Sequence, residues 1–164
     1  MSEKYTTIKH KIKKLDENGE PIRNEKGNFT WEVVEKKYRI DAGFKRAISC
    51  ADEAIVVTTP HLSSIRDANK VVTILTSYNI DNKRFVINRA RGDLIQDKIM
   101  FDVYDIGKTL GIEFGGVIPE DDNVITTTSD NIKNKKIALN RAFEILTNNL
   151  ITGEKKLFDC TYKY

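Results

Sequence analysis

Cysteine, histidine, tryptophan and proline are all scarce in this 164-residue chain: two, two, one and three residues. Cys50 and Cys160 form no C-x-x-C pattern, which excludes a disulfide framework or a thiolate metal cage and points to a reducing, cytoplasmic setting. Both are expected to be inert thiols, since no base neighbours either in sequence. His10 and His61 are far apart with no partner at ligand spacing, so no metal site is expected. No apolar run approaches the roughly 18 residues of a spanning helix, and no signal-peptide core follows Met1. One-signed charge is missing as well: 27 basic against 24 acidic side chains leave a net +3. That is too little to argue for nucleic acid, and no nucleic-acid partner is expected. What is present is a 40% hydrophobic content, which excludes simple disorder, and enough length for a sizeable core.

The pattern changes near residue 39. Residues 1–38 hold nine Lys/Arg and seven Asp/Glu but few large apolar side chains. From Tyr5 to Lys14, Thr6, Ile8, His10 and Ile12 alternate with Lys9, Lys11 and Lys13, the period of a half-buried strand. Asn18-Gly19 and the run Asn24-Glu25-Lys26-Gly27-Asn28 read as two turns, after which Phe29, Trp31 and Val33 alternate again. The segment is expected to be an antiparallel β-meander of two or three strands. Its lysine stripe with Trp31 could contact nucleic acid, but seven carboxylates in the same segment favour a solvated strand face.

From residue 40 the grammar is α/β. Ala54–Thr59 is a continuous β-branched run, the mark of a strand buried on both faces. Thr59 is expected to cap a helix with Pro60 at its first position, and Leu62, Ile65, Ala68, Val72 and Leu75 give that helix an inward stripe. Arg84–Asn88 reads as a second strand. A helix carrying Val103, Ile106 and Leu110 stops at Gly111, and Phe114–Ile118 forms a third strand ending at Pro119. A last helix from Asn134 to Leu150 turns Ile137, Ala138, Ala142, Ile145 and Leu146 inward. Alternation of this kind yields right-handed βαβ units: a three-layer fold around a mostly parallel sheet. Ligands of such sheets bind outside the carboxyl ends of the strands, here Thr58-Thr59-Pro60, Asn88-Arg89-Ala90-Arg91 and Pro119-Glu120-Asp121-Asp122.

Five segments in register resemble the MinD/ParA family of P-loop ATPases, its MinD members in particular. They are Ile40–Ala47, Ala51–Pro60, Ser63–Ala68, Val86–Arg89 and Gly116–Asp121, spread over Ile40 to Leu150; Gly153–Cys160 also looks like the approach to the family's C-terminal tail. The resemblance implies residues 39–164 to be the C-terminal half of such an ATPase. It implies ATP and Mg²⁺ as cofactors, self-association, and MinC- and MinE-like partners. Asn88 would meet the adenine edge with Arg89 beside it, and Pro119, Glu120 and Asp121 would close over the base. Ser63, Arg66 and Asp67 fall on the family's dimer and partner surface. Read from the residues alone, Glu120, Asp121 and Asp122 favour a solvated acidic turn after Pro119.

Several family features are missing. No G-x-x-x-x-G-K-[ST] loop exists here, and Lys37-Tyr38-Arg39 stands where the Asp-x-Pro-Ala-Gly switch would be. His61 replaces the usual Glu, Asn69 a frequent Asp, and the family's membrane-targeting helix is not expected in the stretch up to Tyr164. Phosphoryl transfer relies on that loop and Mg²⁺ for nearly all its positioning and electrostatics. The expectation is a truncated division-site-selection component with no catalytic residues of its own, peripheral-membrane only by family. The alternative is a non-enzymatic interaction domain of the same descent.

Overall fold

The computed structural model describes residues 5–121 and 138–160. The chain separates into two compact units, Met1–Cys50 and Ala51–Tyr164.

In the first unit, β1 (Tyr5–Lys13) and β2 (Trp31–Arg39) form an antiparallel ribbon paired from Tyr5 with Arg39 to Lys13 with Trp31. The intervening residues are not further full strands but one turn used twice. The Asp16 carboxylate accepts from the amides of Asn18 and Glu20, and the Asn24 carboxamide oxygen accepts from those of Lys26 and Asn28. Each turn needs a left-handed residue, and glycine supplies it at no steric cost: Gly19 at φ 82° and Gly27 at φ 77°. Lys14 N–H donates to Thr30 O (3.0 Å), Thr30 N–H to Ile22 O (2.9 Å) and Ile22 N–H to Lys14 O (2.9 Å), closing a ring of three backbone bonds at the ribbon's end. The expected meander is therefore one long ribbon with two turns projecting from its tip. A short helix, α1 (Ala42–Ile48), completes the unit, capped by the Asp41 carboxylate on Gly43 N–H at 2.7 Å.

The second unit contains β3 (Glu53–Thr58), α2 (Leu62–Ser77), β4 (Asn82–Ala90), α3 (Gly92–Gln96), α4 (Val103–Leu110), β5 (Glu113–Pro119) and α5 (Ala138–Thr152). The three strands form a parallel sheet in the order β3-β4-β5, the α/β arrangement that the alternation implied. Val56 on β3 lies beside Phe85 on β4, whose ring meets Phe114 of β5 edge-on at 5.5 Å. This face is covered by α2 and α4; Gly107 of α4 comes so near that a Cβ there would sit 3.4 Å from the Phe85 ring. The opposite face carries Val86 and Gly116 and is covered by α5. Ala142, Leu146 and Asn149 point inward from α5 at steps of four and three.

The close seating of α5 depends on two glycines. The β4–β5 register slips between Phe85 and Val86, opposite Gly115, a bulge of the kind glycine permits. At Gly116 a Cβ would fall 2.7 Å from Leu146 Cδ1 and 3.1 Å from Leu146 Cβ. Asn149, 1% exposed, then ties three segments together. Its Nδ2 donates to Gly115 O (3.0 Å) and Lys156 O (2.8 Å), and its Oδ1 accepts from Lys156 N–H (3.1 Å). Arg84 Nη1 reaches the last turn of α5 at Leu150 O, 2.7 Å away, a cation where the helix dipole favours one. Beyond α5 the tail buries Phe158. Burial, aided by neighbouring Asp159, pushes the Cys160 thiol up to about 11.

Three expectations are revised. Helix α2 begins at Leu62 with His61 as its N-cap, two residues later than the Thr-Pro pair implied. Pro60 is buried in the core instead of opening the helix, and Thr59 Oγ1 is engaged by Ser64 Oγ at 2.8 Å. Strand β3 is buried on one face only: Val56 and Thr58 are covered, whereas Ile55 and Val57 are 53% and 59% exposed. They lie on the α5 face, but α5 packs over β5 and leaves β3 open. The short helices α1 and α3 were not foreseen. α4 ends as expected, with Gly111 in the left-handed region at φ 62°. The anticipated residues Asn134 and Ile137 of the last helix, and Asp122, lie outside the described residues.

Four outcomes follow. Asn149→Ala strands the Gly115 and Lys156 backbone groups and should cost about 3 kcal/mol in urea unfolding, whereas Asn148→Ala should be near neutral. Val57→Lys removes an exposed apolar edge residue and should reduce self-association in light scattering, changing stability by less than about 1 kcal/mol. At pH 8 a thiol at about 11 is only ~0.1% thiolate, against ~10% for one at the ordinary 9.0. Cys160 should therefore react with a disulfide reagent at least tenfold more slowly than exposed Cys50. Because the Cys160 thiolate is disfavoured in the folded state, its contribution to stability is lost as pH rises from about 9 towards 11.

Candidate functional site

The parallel register brings the carboxyl ends of β3, β4 and β5 side by side, with Thr58 next to Ile87 and Ala90 next to Pro119. The β4–β5 pairing slips again between Ile87 and Ala90, at Asn88 and Arg89. Arg89 takes a left-handed conformation, φ 57°, uncommon for a side-chain-bearing residue and found where a bulge re-aims a side chain. Asn88 supports it: its Oδ1 accepts from the Arg89 amide at 2.9 Å.

So aimed, Arg89 crosses to β5 and donates from Nε (2.9 Å) and Nη2 (2.6 Å) to Glu120 Oε1. Glu120 N–H in turn donates to Ala90 O at 3.0 Å. Asn88, Arg89, Pro119 and Glu120, four of the five residues expected at the base, thus form one connected edge. Asp121 follows Glu120, half-buried. Beside them Arg91 grips Asp93 with two of its guanidinium nitrogens, Nε–Oδ1 3.0 Å and Nη2–Oδ2 2.6 Å. This guanidinium contact holds the Asp93 carboxyl down at about 2. Sequence reasoning missed that pair; the Arg-x-Asp spacing at a strand end was the available signal. Ser63, Arg66 and Asp67, the expected partner surface, share an exposed stripe of α2 with Lys70, which is 2.8 Å from Asp67.

These groups fit one part of a nucleotide. With Oδ1 held by the Arg89 amide, Asn88 has its Nδ2 protons to offer a ring nitrogen or carbonyl, the donor a purine edge needs. They do not fit the triphosphate or its metal. The Arg89 guanidinium is committed to Glu120, and no glycine-rich amide cradle opens α2, whose N-cap is His61. Among the described residues no group of three or more His, Cys, Asp or Glu side chains is placed to hold a metal ion. Burial and the neighbouring Asp159 disfavour the Cys160 thiolate. A wide cleft of about 910 Å³ lies elsewhere, at the amino ends of β4 and β5. There Lys83 is buried, its ammonium on the Ile80 carbonyl.

No family model matches the chain. The septum site-determining protein MinD of Chlorella vulgaris is 39% identical over 137 residues, covering 81% of this chain and 49% of that protein. The MinD of Oltmannsiellopsis viridis is 38% identical over 144 residues, 85% of this chain and 46% of its own length. Among solved structures, a chain of the MinC:MinD cell division protein complex of Aquifex aeolicus superposes with a TM-score of 0.63 at 32% identity. That match covers 71% of this chain and 49% of the other. The chain spans about half the length of the relatives it matches, and over that half it belongs to the MinD family of septum site-determining proteins.

Proposed function

We propose that this chain is a division-site-selection component of the MinD type that keeps the base side and the partner side of the ATPase and turns over no ATP alone. The observation that carries the reading is the joined edge Asn88–Arg89–Glu120, set at the carboxyl ends of a parallel sheet in a chain similar to MinD. In this reading Asn88 and Arg89 face an adenine, Pro119, Glu120 and Asp121 bound it, and the phosphates and Mg²⁺ must be held by groups from elsewhere. The polar stripe Ser63, Arg66 and Asp67 on α2 is the docking face for a MinC-like protein, for a MinE-like one, or for a second MinD-type subunit. The Aquifex relative was solved with MinC, which favours MinC first. Taken without nucleotide, the same exposed stripe supports the second reading, a non-enzymatic interaction domain.

Calorimetry with Mg-ATP and a phosphate-release assay test the first reading. Affinity of about 1 mM or weaker, near 4 kcal/mol, is expected, with no phosphate above buffer. Micromolar binding or steady turnover would overturn it. Surface plasmon resonance against a MinC protein tests the docking face. Arg66→Glu with Asp67→Lys should weaken binding about tenfold, some 1.4 kcal/mol, with an unchanged circular dichroism spectrum. Unchanged MinC binding would remove that role from α2.

A further inference from the structure

The first unit separates charge in a way its composition hides. Pairing of β1 with β2 puts Thr7, Lys9, Lys11 and Lys13 on one face with Trp31, Val33, Glu35, Lys37 and Arg39, and all nine are exposed. Arg23 joins them from the tip, since its guanidinium and the Lys13 ammonium both lie over the Phe29 ring, at 4.0 and 3.8 Å. The face therefore presents six cations and one carboxylate, Glu35, which is 3.7 Å from Lys9. Of the other carboxylates between residues 5 and 38, Asp16, Glu17, Glu20 and Glu25 sit in the two turns, and Glu32 is on the opposite face. That opposite face carries buried Ile8 and the half-buried His10 and Tyr38, hydrogen-bonded at 2.9 Å.

We infer that this ribbon face binds double-stranded DNA. Three features select that ligand. Lysines at every second residue of a strand recur about every 7 Å, a row of point charges that can follow a phosphate backbone. A two-stranded ribbon is narrow enough to enter the major groove, about 12 Å wide. Trp31, 49% exposed with Lys11 Nζ 5.6 Å from its ring centroid, and Val33 beside it give the face an apolar centre for base edges. A membrane surface is the poorer match, because two apolar side chains among six cations offer little area to insert. An acidic protein would gain from the charge but has no use for a straight, regularly spaced lysine row.

The test is fluorescence anisotropy of a labelled 20-base-pair duplex titrated with the full chain between 50 and 200 mM NaCl. Expected are micromolar affinity at low salt and a slope of log affinity against log salt of about −3 to −5, from four or five neutralised phosphates. Quenching of Trp31 fluorescence should accompany binding. Lys9→Glu, Lys11→Glu and Lys13→Glu together should weaken binding at least 100-fold. The milder pair Lys37→Gln and Arg39→Gln, on the other strand, should weaken it several-fold and stands in if the triple variant misfolds. Lys98→Glu with Lys108→Glu, in the second unit, should leave it unchanged. Absence of binding at 50 mM salt, equal binding by both ribbon variants, or binding confined to single strands or to phosphatidylserine vesicles would overturn the inference.

Discussion

The Asn149 carboxamide is the constraint on which the second unit turns. A buried amide left unpaired costs more than its hydrogen bonds contribute when made, so every group it meets must be held in place. Here it meets the backbone of β5 at Gly115 and the tail at Lys156, from a position on α5. Helix, strand and tail are thereby fixed to one another by one side chain. That arrangement is possible only because α5 lies almost on the strand backbone, which the glycine pair at 115–116 allows. The Arg84 bond to Leu150 O adds a second tie on the same face.

What α5 covers decides what stays open. It spans the β4–β5 side of the sheet, and β3 keeps a solvated face with Ile55 and Val57. Parallel strands are ordinarily covered on both sides, because their backbones and β-branched side chains suit a dry interior. In this chain, which spans about half the length of the MinD relatives it matches, β3 is covered on its Val56–Thr58 face only. The candidate site shares this character. Its ion pair is a surface one, with Arg89 67% exposed, and such pairs contribute at most about 1 kcal/mol. The edge is therefore positioned by backbone, through the Asn88–Arg89 bulge and the Glu120–Ala90 bond, more than by charge.

The strands and long helices were legible because burial writes itself into period. The stripe Ile65, Ala68, Val72 and Leu75 and the stop at Gly111 are readable in one dimension, and so is the βαβ order. The start of α2 was not, because Thr-Pro is also a good extended pair, and burial of Pro60 with the Thr59–Ser64 bond decided between the two. The exposure of Ile55 and Val57 was illegible for a different reason. A β-branched run states that a strand wants cover on both faces, not that cover is supplied. The candidate residues Asn88, Arg89, Pro119 and Glu120 came from the strand-end rule and the MinD resemblance together. The bulge that turns Arg89 towards Glu120 left no mark in the sequence, since its cause is a register slip between two strands.

The ribbon shows the same limit from the opposite side. Composition counts charges without regard to where they point, and nine cations against seven carboxylates over residues 1–38 read as near balance. Period 2 sorts them: every odd residue of both strands shares one face, and the carboxylates fall mostly in turns, where Asp16 also does structural work by accepting two amides. An acidic residue that a turn requires is removed from the field of the strand by geometry alone. Net charge therefore bounds long-range attraction for the whole chain, whereas a partner at contact distance meets a single face and, at physiological salt, feels charges only within about 8 Å. By that measure the relevant quantity for the first unit is the charge of the Lys9–Lys13 face, and the chain's overall +3 says little about what that face can bind.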